Sequence, residues 1–317
     1  MMSFFKILLT LIPALVCGMA QAGEEGTSLR ADPAGFIMDQ AGRRIDVRHT
    51  FKRIISLYGA HTENLFSLGL DIEIIGVARN EVFPPKALTK PVFSYHDDPE
   101  KFMAANPDLV LIRPMIDRGY PQLVRRLEKS GIRVASLQPG SVDEMLLYWE
   151  ILGLLTGRKA KASEMIAYFR KEVEQIQSLT RAIFPKKRVY FEAIHSRMKT
   201  FSPDAMAIFA LDSAGGINLA QDAKSVRGTN IAFYGKEKIL SHAKEMDAYI
   251  AQKGAMNRPT LSLIKNEPGF SAIEAIKNDQ ILIIDERIVS RPTLRLIQGI
   301  RKIGQFLYPE VMKGDSH

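Results

Sequence analysis

The first half of the chain alternates short apolar runs with amphipathic segments. Residues 35–47 predict a β-hairpin that turns between Asp39 and Gly42. After it, the first helix is predicted over residues 63–68, directly behind an apolar run of strand length. Strands that alternate with helices in this way predict a parallel sheet covered by helices on both faces. The predicted strands are residues 53–58, 73–78, 108–112 and 131–137.

Two consecutive helices are predicted in the middle of the chain. The leucine-rich segment 142–156 ends at Gly157, and residues 159–180 contain neither proline nor glycine. At 1.5 Å per residue the second helix would extend about 33 Å, enough to pass along a whole domain. Its apolar residues recur at helical spacing and predict a buried stripe: Met165, Ile166, Phe169, Val173 and Ile176.

The second half of the chain resumes the alternation of strands and helices. Strands are predicted at residues 187–193, 247–251 and 280–285, and a final helix at 293–307. The whole pattern predicts an α/β fold: two Rossmann-like lobes with central parallel sheets, joined by one long connecting α-helix. The predicted segments are 1–22 (a signal peptide), 23–157 (N-terminal lobe), 158–184 (connecting helix) and 185–317 (C-terminal lobe).

The N-terminal segment has the layout of a cleavable secretory signal. Lys6 precedes an apolar run, and the small residues Ala20 and Ala22 close the segment. The apolar run is shorter than the roughly 20 residues that cross a bilayer. Retention as a membrane anchor and lipid attachment at Cys17 are alternatives, but the bulky Val16 before the cysteine favours cleavage after Ala22. We therefore expect export to the periplasm.

Composition narrows the classes of function. The chain is 46% hydrophobic and 25% charged, with a formal net charge of +8. Its lysines and arginines are scattered, so for an exported protein an anionic ligand is a better expectation than nucleic acid. Cys17 is the only cysteine, so cleavage after Ala22 leaves no disulfide and no thiolate chemistry. We find no nucleophile elbow, zinc-protease motif or phosphate-binding loop, and we expect no enzyme activity.

Several motifs, in order along the chain, resemble those of periplasmic (class III) substrate-binding proteins of ABC importers for iron–siderophores, haem and cobalamin. The opening DQAGRRIDVRHTFKRIISL spans residues 39–57, and TENLFSLG follows at 62–69. NPDLV stands at 106–110, LGLLTGR at 152–158 and AGGIN at 214–218. The resemblance implies a cleft between the lobes, a stiff connecting helix and an ABC permease in the inner membrane as partner. It also implies a monomer without a resident cofactor.

Candidate ligand contacts follow the ends of the predicted strands, where ligands of open parallel sheets bind. Arginine is prominent among them, because its fixed, paired donors suit carboxylate or catecholate oxygens. This favours an anionic ferric chelate, with an iron–siderophore as the first candidate. Haem or a corrinoid, whose metal a histidine could ligate, is the second candidate, and a bare metal ion or an oxyanion is the third. Arg258 and Arg287 are weaker candidates, and the predicted contacts are Tyr58, His61, Arg79, Arg113, Glu192, His195 and Arg291.

Two glutamates are candidates for docking to the permease. The resemblance implies one exposed glutamate per lobe that reaches arginines of the permease. Glu100 matches the first position, and Glu237 is the candidate for the second, although its spacing to the next strand departs from the family pattern. An exported enzyme with this fold, or a periplasmic sensor that uses the same cleft, are the alternatives of another class.

Overall fold

The computed structural model describes residues 29–32, 35–225 and 229–313. The predicted signal peptide 1–22, with Cys17, lies outside these residues. In the described part of the chain, no helix combines the length and the apolar character needed to cross a membrane.

The N-terminal lobe opens with a three-stranded antiparallel sheet, formed by β1 (Arg30–Asp32), β2 (Phe36–Met38) and β3 (Arg44–Asp46). The hairpin predicted over residues 35–47 is confirmed, with Gly42 in the left-handed region at a φ of 78°. The buried carboxylate of Asp39 accepts hydrogen bonds from Arg43 N at 2.8 Å and Ser136 N at 2.8 Å. The first bond holds the turn, and the second ties the hairpin to the lobe's main sheet.

The main sheet of this lobe and its helices comprise β4 (Ile54–Ser56), α1 (Gly59–Ser67), β5 (Ile74–Ala78), β6 (Val92–Phe93), α2 (Pro99–Ala105), β7 (Leu109–Ile112), α3 (Pro114–Gly119), α4 (Pro121–Lys129) and β8 (Arg133–Ser136). The sheet is entirely parallel, with strand order β6-β5-β4-β7-β8. Strands β4, β5, β7 and β8 were predicted, whereas the two-residue edge strand β6 was not. The central strands are buried because helices cover both faces of the sheet. The chain runs outward from β4 in one direction and then in the other, so the carboxyl ends of β4 and β7 flank a topological switch point.

Two antiparallel helices link the lobes. Helix α5 (Val142–Thr156) is capped by Ser141, whose hydroxyl accepts a hydrogen bond from Glu144 N at 3.2 Å. It ends at Gly157, which has a φ of 71°. Helix α6 (Lys159–Thr180) is unbroken and has the predicted bounds. The whole predicted apolar stripe of α6 is buried.

The C-terminal lobe contains a mixed sheet. Its elements are β9 (Arg188–Ile194), β10 (Lys199–Phe201), α7 (Met206–Ser213), β11 (Ile217–Asn218), β12 (Lys224–Ser225), β13 (Ile231–Phe233), α8 (Lys236–Ser241), β14 (Ala248–Lys253), α9 (Leu261–Lys265), α10 (Glu274–Lys277), β15 (Ile281–Asp285), α11 (Glu286–Val289), α12 (Leu296–Leu307) and α13 (Pro309–Met312). The strand order is β12-β13-β10-β9-β14-β15, with β11 also paired to β9. Strands β9, β14 and β15 are parallel, as predicted. The antiparallel strands β10, β12 and β13 and the short parallel strand β11 were not predicted.

One hydrophobic core runs through both lobes. It joins strands β4, β5 and β7 of the N-terminal lobe to strand β9 of the C-terminal lobe, through helices α5, α6, α7 and α12. Two smaller cores fill the outer face of each sheet. Since close-packed interiors resist deformation, the shared core holds the lobes at a fixed separation. The predicted division at 157/158 and 184/185 stays a prediction, because α6 is part of this common core.

Candidate functional site

A cleft of about 750 Å³ opens between the lobes, at the carboxyl ends of the parallel strands. The N-terminal lobe contributes the loop after β5, and the C-terminal lobe contributes the loops after β14 and β15. This is the position where open α/β sheets bind ligands. The cleft is lined by Asn80, Val82, Lys253, Gly254, Ala255, Arg258, Pro259, Thr260, Ile283, Ile284, Asp285, Glu286, Arg287, Arg291 and Lys302.

The charged side chains in the cleft lining are mostly cationic. Its acidic members are Asp285 and Glu286. Asp285 is engaged with Arg287, whose Nε donates to its carboxylate at 2.9 Å, and this hydrogen bond lowers the pKa of Asp285. Lys253 and Arg258 are exposed and form no ion pair with any described residue. The cleft therefore presents cationic groups, free of protein partners, to an anionic ligand.

Beside the cleft, the two lobes meet in a buried set of polar contacts that we call the lobe junction: Glu63, Asn64, Trp149, Arg291, Pro292 and Arg295. Glu63 of α1 is 2% exposed and accepts hydrogen bonds from two arginines of the other lobe. Arg295 Nη2 lies 2.6 Å from Glu63 Oε1, and Arg291 Nη1 lies 3.2 Å from the same oxygen. Arg291 thus belongs both to the junction and to the cleft lining.

Backbone contacts complete the lobe junction. The carbonyl oxygen of Pro292 accepts a hydrogen bond from Asn64 Nδ2 at 2.8 Å and another from Trp149 Nε1 at 3.2 Å. Trp149 is fully buried and packs edge-on against Phe169 of α6. One carbonyl group of the C-terminal lobe is therefore held by two elements of the N-terminal lobe.

The N-terminal rim brings Tyr58 and Arg113 together at the switch point. The guanidinium of Arg113 lies over the Tyr58 ring, 4.7 Å from its centroid, in a cation–π contact. Arg79 follows β5, is exposed, and forms no hydrogen bond with the described residues. These three predicted residues lie on the predicted edge of the sheet, although none of them lines the cleft itself.

An aromatic cluster that was not predicted lies on the same rim, after β6. The rings of Tyr95 and Tyr120 are 4.7 Å apart between centroids, and His96 contacts both. The pKa of the neighbouring Asp97 is lowered: burial acts to raise it, but the hydrogen bonds from Lys101 and Ser94 and the charges of Lys101 and Arg79 outweigh burial. The sequence feature that could have predicted this cluster is the pair Tyr95–His96, which follows a short strand.

His61, a predicted ligand contact, is buried and hydrogen-bonded inside the N-terminal lobe. Helix α1 begins at Gly59 rather than at residue 63, which places His61 in its first turn and fully inside the protein. Nε2 donates to the Ile112 carbonyl at 3.0 Å, and Nδ1 therefore accepts from the Tyr148 hydroxyl at 2.6 Å. Burial lowers the pKa of His61 to about 3. The neutral ring has no nitrogen left for a metal.

Glu192 and His195, two further predicted ligand contacts, are buried beneath the C-terminal rim. His195 Nδ1 is 2.6 Å from Glu192 Oε2, and Glu192 also accepts from Tyr249 and, at 3.1 Å, from Asn257 Nδ2. The hydrogen bond to Glu192 raises the pKa of His195. On its other side His195 Nε2 is 3.4 Å from Glu267, which pairs with Lys236. This buried network supports the loops that carry the cleft.

The two docking candidates are both exposed. Glu100 lies in the first turn of α2, and its carboxylate pairs with Arg126 at 2.5 Å. Glu237 lies in the first turn of α8 and has no partner among the described residues. Their role in docking stays a prediction.

The structure thus separates the predicted residues into three groups. Arg258, Arg287 and Arg291 line the cleft; Tyr58, Arg79 and Arg113 lie on the N-terminal rim; and His61, Glu192 and His195 are buried. Sequence reasoning missed Lys253, Lys302 and the lobe junction. Among the described residues, no group of three or more His, Cys, Asp or Glu converges on a metal position.

Comparison with known proteins agrees with this architecture. A family model described as periplasmic binding protein matches residues 54–288. The uncharacterised ABC transporter substrate-binding lipoprotein YvrC of Bacillus subtilis is 24% identical over 292 residues, which cover 87% of this chain and 86% of that protein.

Solved structures resemble the chain over most of its length. A possible iron-binding (periplasmic solute-binding) protein of Staphylococcus epidermidis has a TM-score of 0.71 at 26% identity, covering 82% of this chain and 100% of that one. The periplasmic haem-binding protein HutB of Vibrio cholerae has a TM-score of 0.69 at 19% identity, covering 81% and 99%. The second likeness concerns the fold alone. Because the family model matches most of its length, this chain belongs to the periplasmic binding protein family.

Proposed function

We propose that this chain captures an anionic ferric chelate of the siderophore class between its lobes and hands it to an ABC permease. The cleft carries the proposal: five cationic and two acidic side chains face a space of about 750 Å³. That volume lies in the range of small-molecule pockets. Lysine and arginine pair well with the carboxylate, catecholate or hydroxamate oxygens of a chelate that keeps residual negative charge.

The aromatic cluster on the N-terminal rim supports the same ligand class. Tyr95 and Tyr120 offer ring faces and edges to planar groups. Arg79 adds a positive charge beside them, and Arg113 adds a second over Tyr58. Aromatic rings interleaved with arginines suit catecholate rings better than aliphatic hydroxamates.

Haem is the second candidate, because the phenol of Tyr95 and the imidazole of His96 are residue types that bind haem iron. His96 is exposed and Tyr95 is half-buried. If haem is the ligand, Tyr95→Phe should shift the Soret band of the complex. If a ferric tricatecholate is the ligand, the same variant should leave its charge-transfer band in place.

The test is to identify the ligand and then to titrate it. Protein purified from the periplasm of its own host would be examined by visible absorbance and native mass spectrometry. The ligand-free protein would then be titrated with ferric enterobactin (a ferric tricatecholate), haemin and cyanocobalamin. Trp149 is the only tryptophan and lies at the lobe junction, so its fluorescence reports changes between the lobes. We expect tightest binding of the tricatecholate; binding of cyanocobalamin alone would contradict the proposal.

Delivery, rather than chemistry, is the second part of the proposal. We infer that residues 1–22 are removed during export, that the chain works as a monomer in the periplasm, and that Glu100 and Glu237 contact the permease. A binding protein returns its chelate unchanged, so mass spectrometry of the ligand after prolonged incubation distinguishes it from an enzyme. A sensor would bind the chelate equally well, but deleting the gene of a sensor would leave uptake of the chelate intact.

A further inference from the structure

Glu81 is a buried acid directly behind the cleft. It follows β5 between Asn80 and Val82, which both line the cleft, yet it is only 8% exposed itself. Its Oε1 accepts a hydrogen bond from the Thr62 hydroxyl at 2.9 Å, and Thr62 Oγ1 lies 2.8 Å from the hydroxyl of Ser56. Its Oε2 is buried and has no hydrogen-bond partner among the described residues. An unpaired buried carboxylate oxygen is costly, and a proton on it would lower that cost.

The charged groups around Glu81 come from both lobes. A Cβ placed on Gly59 would lie 2.5 Å from Arg291 Nη1 and 3.3 Å from Glu81 Oε2, so this guanidinium and this carboxyl are close neighbours over the glycine. On α1 the nearest acid is Glu63, which is already engaged with Arg291 and Arg295. Burial, with a smaller contribution from the charge of Glu63, raises the pKa of Glu81 to about 7. Arg291 acts in the opposite direction but is shared with Glu63.

We infer that Glu81 is the proton-uptake site of the cleft: it takes up a proton when the anionic chelate binds, so capture is tighter on the acidic side of neutrality. The inference rests on the proposed function, since it requires an anionic ligand near Arg291. A negative ligand beside an ionised Glu81 would be repelled across a poorly solvated space. Protonation removes that repulsion, and the charge of Arg291 is then shared between Glu63 and the ligand.

Binding and protonation must then promote each other to the same extent. If binding takes up one proton, the affinity for the chelate falls by at most tenfold for each pH unit above the pKa of Glu81 in the free protein. We therefore expect the affinity to decrease by about tenfold as the pH rises from 6.5 to 8. The Glu81→Gln variant keeps the shape of the protonated acid and should bind equally tightly throughout this range.

A ligand-free experiment tests the titration of Glu81 alone. Because its folded pKa lies above the unfolded value of 4.5, the stabilising effect of the protonated acid is present below pH 4.5 and is lost as the pH rises through about 7. The Tm of Glu81→Gln relative to wild type should therefore increase between pH 5 and pH 8. A constant difference would overturn the inference.

The matched control for melting is Glu73→Gln. Glu73 stands at the other end of β5, where Arg158 pairs with it at 3.3 Å, and its pKa is lowered rather than raised. Because a carboxylate with a lowered pKa is ionised in both folded and unfolded chains above pH 5, this variant should show no such increase.

A ligand experiment tests the coupling. Ferric enterobactin would be titrated calorimetrically at pH 7.5 in two buffers of different ionisation enthalpy, which counts the protons taken up. Because the pKa of Glu81 is about 7, the free wild type is about three-quarters ionised there at pH 7.5, so it should take up about three-quarters of a proton and Glu81→Gln none. If the wild type binds without proton uptake, or if the variant takes up as many protons, the role of Glu81 is overturned and the proposed function is not. Failure of the wild type to bind the chelate at any pH overturns the proposed function, and the coupling with it.

Discussion

Two regions rich in arginine lie next to each other between the lobes, and they differ in burial. In the lobe junction, Glu63 is 2% exposed and holds Arg291 and Arg295, whose side chains are 13% and 16% exposed. In the cleft, Arg258 is exposed and unpaired among the described residues. Arg287 pairs there with Asp285, which is two residues away in the sequence. The same residue type therefore fixes the fold in one region and stays available to a ligand in the other.

This difference explains how the protein can hold its lobes rigidly and still bind a ligand. A buried ion pair is expensive to break, because the remaining charge has no water. An exposed arginine contributes little to stability and is free to change partner. Arg291 stands at the border, since it contacts Glu63 and also lines the cleft. Substitutions in the lobe junction should therefore change stability, whereas substitutions in the cleft should change the affinity for the ligand.

The largest expected effect comes from breaking the junction. Glu63→Ala would leave two half-buried guanidiniums without their carboxylate, and we expect it to lower the free energy of unfolding by about 3–5 kcal/mol. Chemical denaturation followed by Trp149 fluorescence measures this. The exposed Glu164, which pairs with Lys161 on α6, supplies the control, and its alanine variant should change stability by less than about 1 kcal/mol. A small change in Glu63→Ala would mean that the junction does not hold the lobes.

Charge reversal in the cleft should have the opposite profile. We expect Arg258→Glu to weaken binding of ferric enterobactin by about tenfold or more, because a cation facing the ligand becomes an anion. Its effect on the free energy of unfolding should stay within about 0.5 kcal/mol, as for most surface substitutions. Arg170→Glu, on the exposed face of α6, makes the same charge change outside the cleft lining. Equal losses of affinity in both variants would show a general charge effect instead of a specific contact.

The buried network under the C-terminal rim should show a pH dependence of intermediate size. Because the pKa of His195 is raised in the folded protein, its stabilising contribution is full below the unfolded pKa near 6.5 and is lost as the pH rises through the folded value. His195→Gln should therefore cost more stability at pH 5.5 than at pH 9 in urea titrations. His242→Gln, whose pair with Glu245 lies nearer the surface, should have the smaller effect. A difference that grows toward pH 9 would contradict this assignment.

The smallest effect on either region should come from the docking candidate. Glu100→Arg replaces an exposed acid paired only with Arg126, so we expect stability and chelate affinity to stay within error. Uptake of radiolabelled ferric chelate by cells that carry the variant should nevertheless fall, because the permease would meet a like charge. Glu164→Arg is the control. Unchanged uptake in Glu100→Arg would remove the docking role.

The periodicity of the chain was sufficient for the large elements. Residues 159–180 lack proline and glycine and carry an apolar stripe, so the helix and its buried face followed from local rules. The longer parallel strands and the Asp39–Gly42 turn followed in the same way, whereas the two-residue parallel strands β6 and β11 were not predicted. Strands β10, β12 and β13 were not predicted, because each has two or three residues and exists only through pairing with β9 or with one another.

Positions at strand ends were predictable from sequence, but burial at those positions was not. Local sequence patterns were enough to predict two α/β lobes, a long helix between them, and a set of arginines after the strands. Long-range packing places His61 in the core, because α1 begins four residues earlier than expected, and pairs Arg295 with Glu63 across the lobes. The physical reason is that secondary structure depends on near neighbours, whereas the free energy of a charge depends on how much water the whole fold leaves around it.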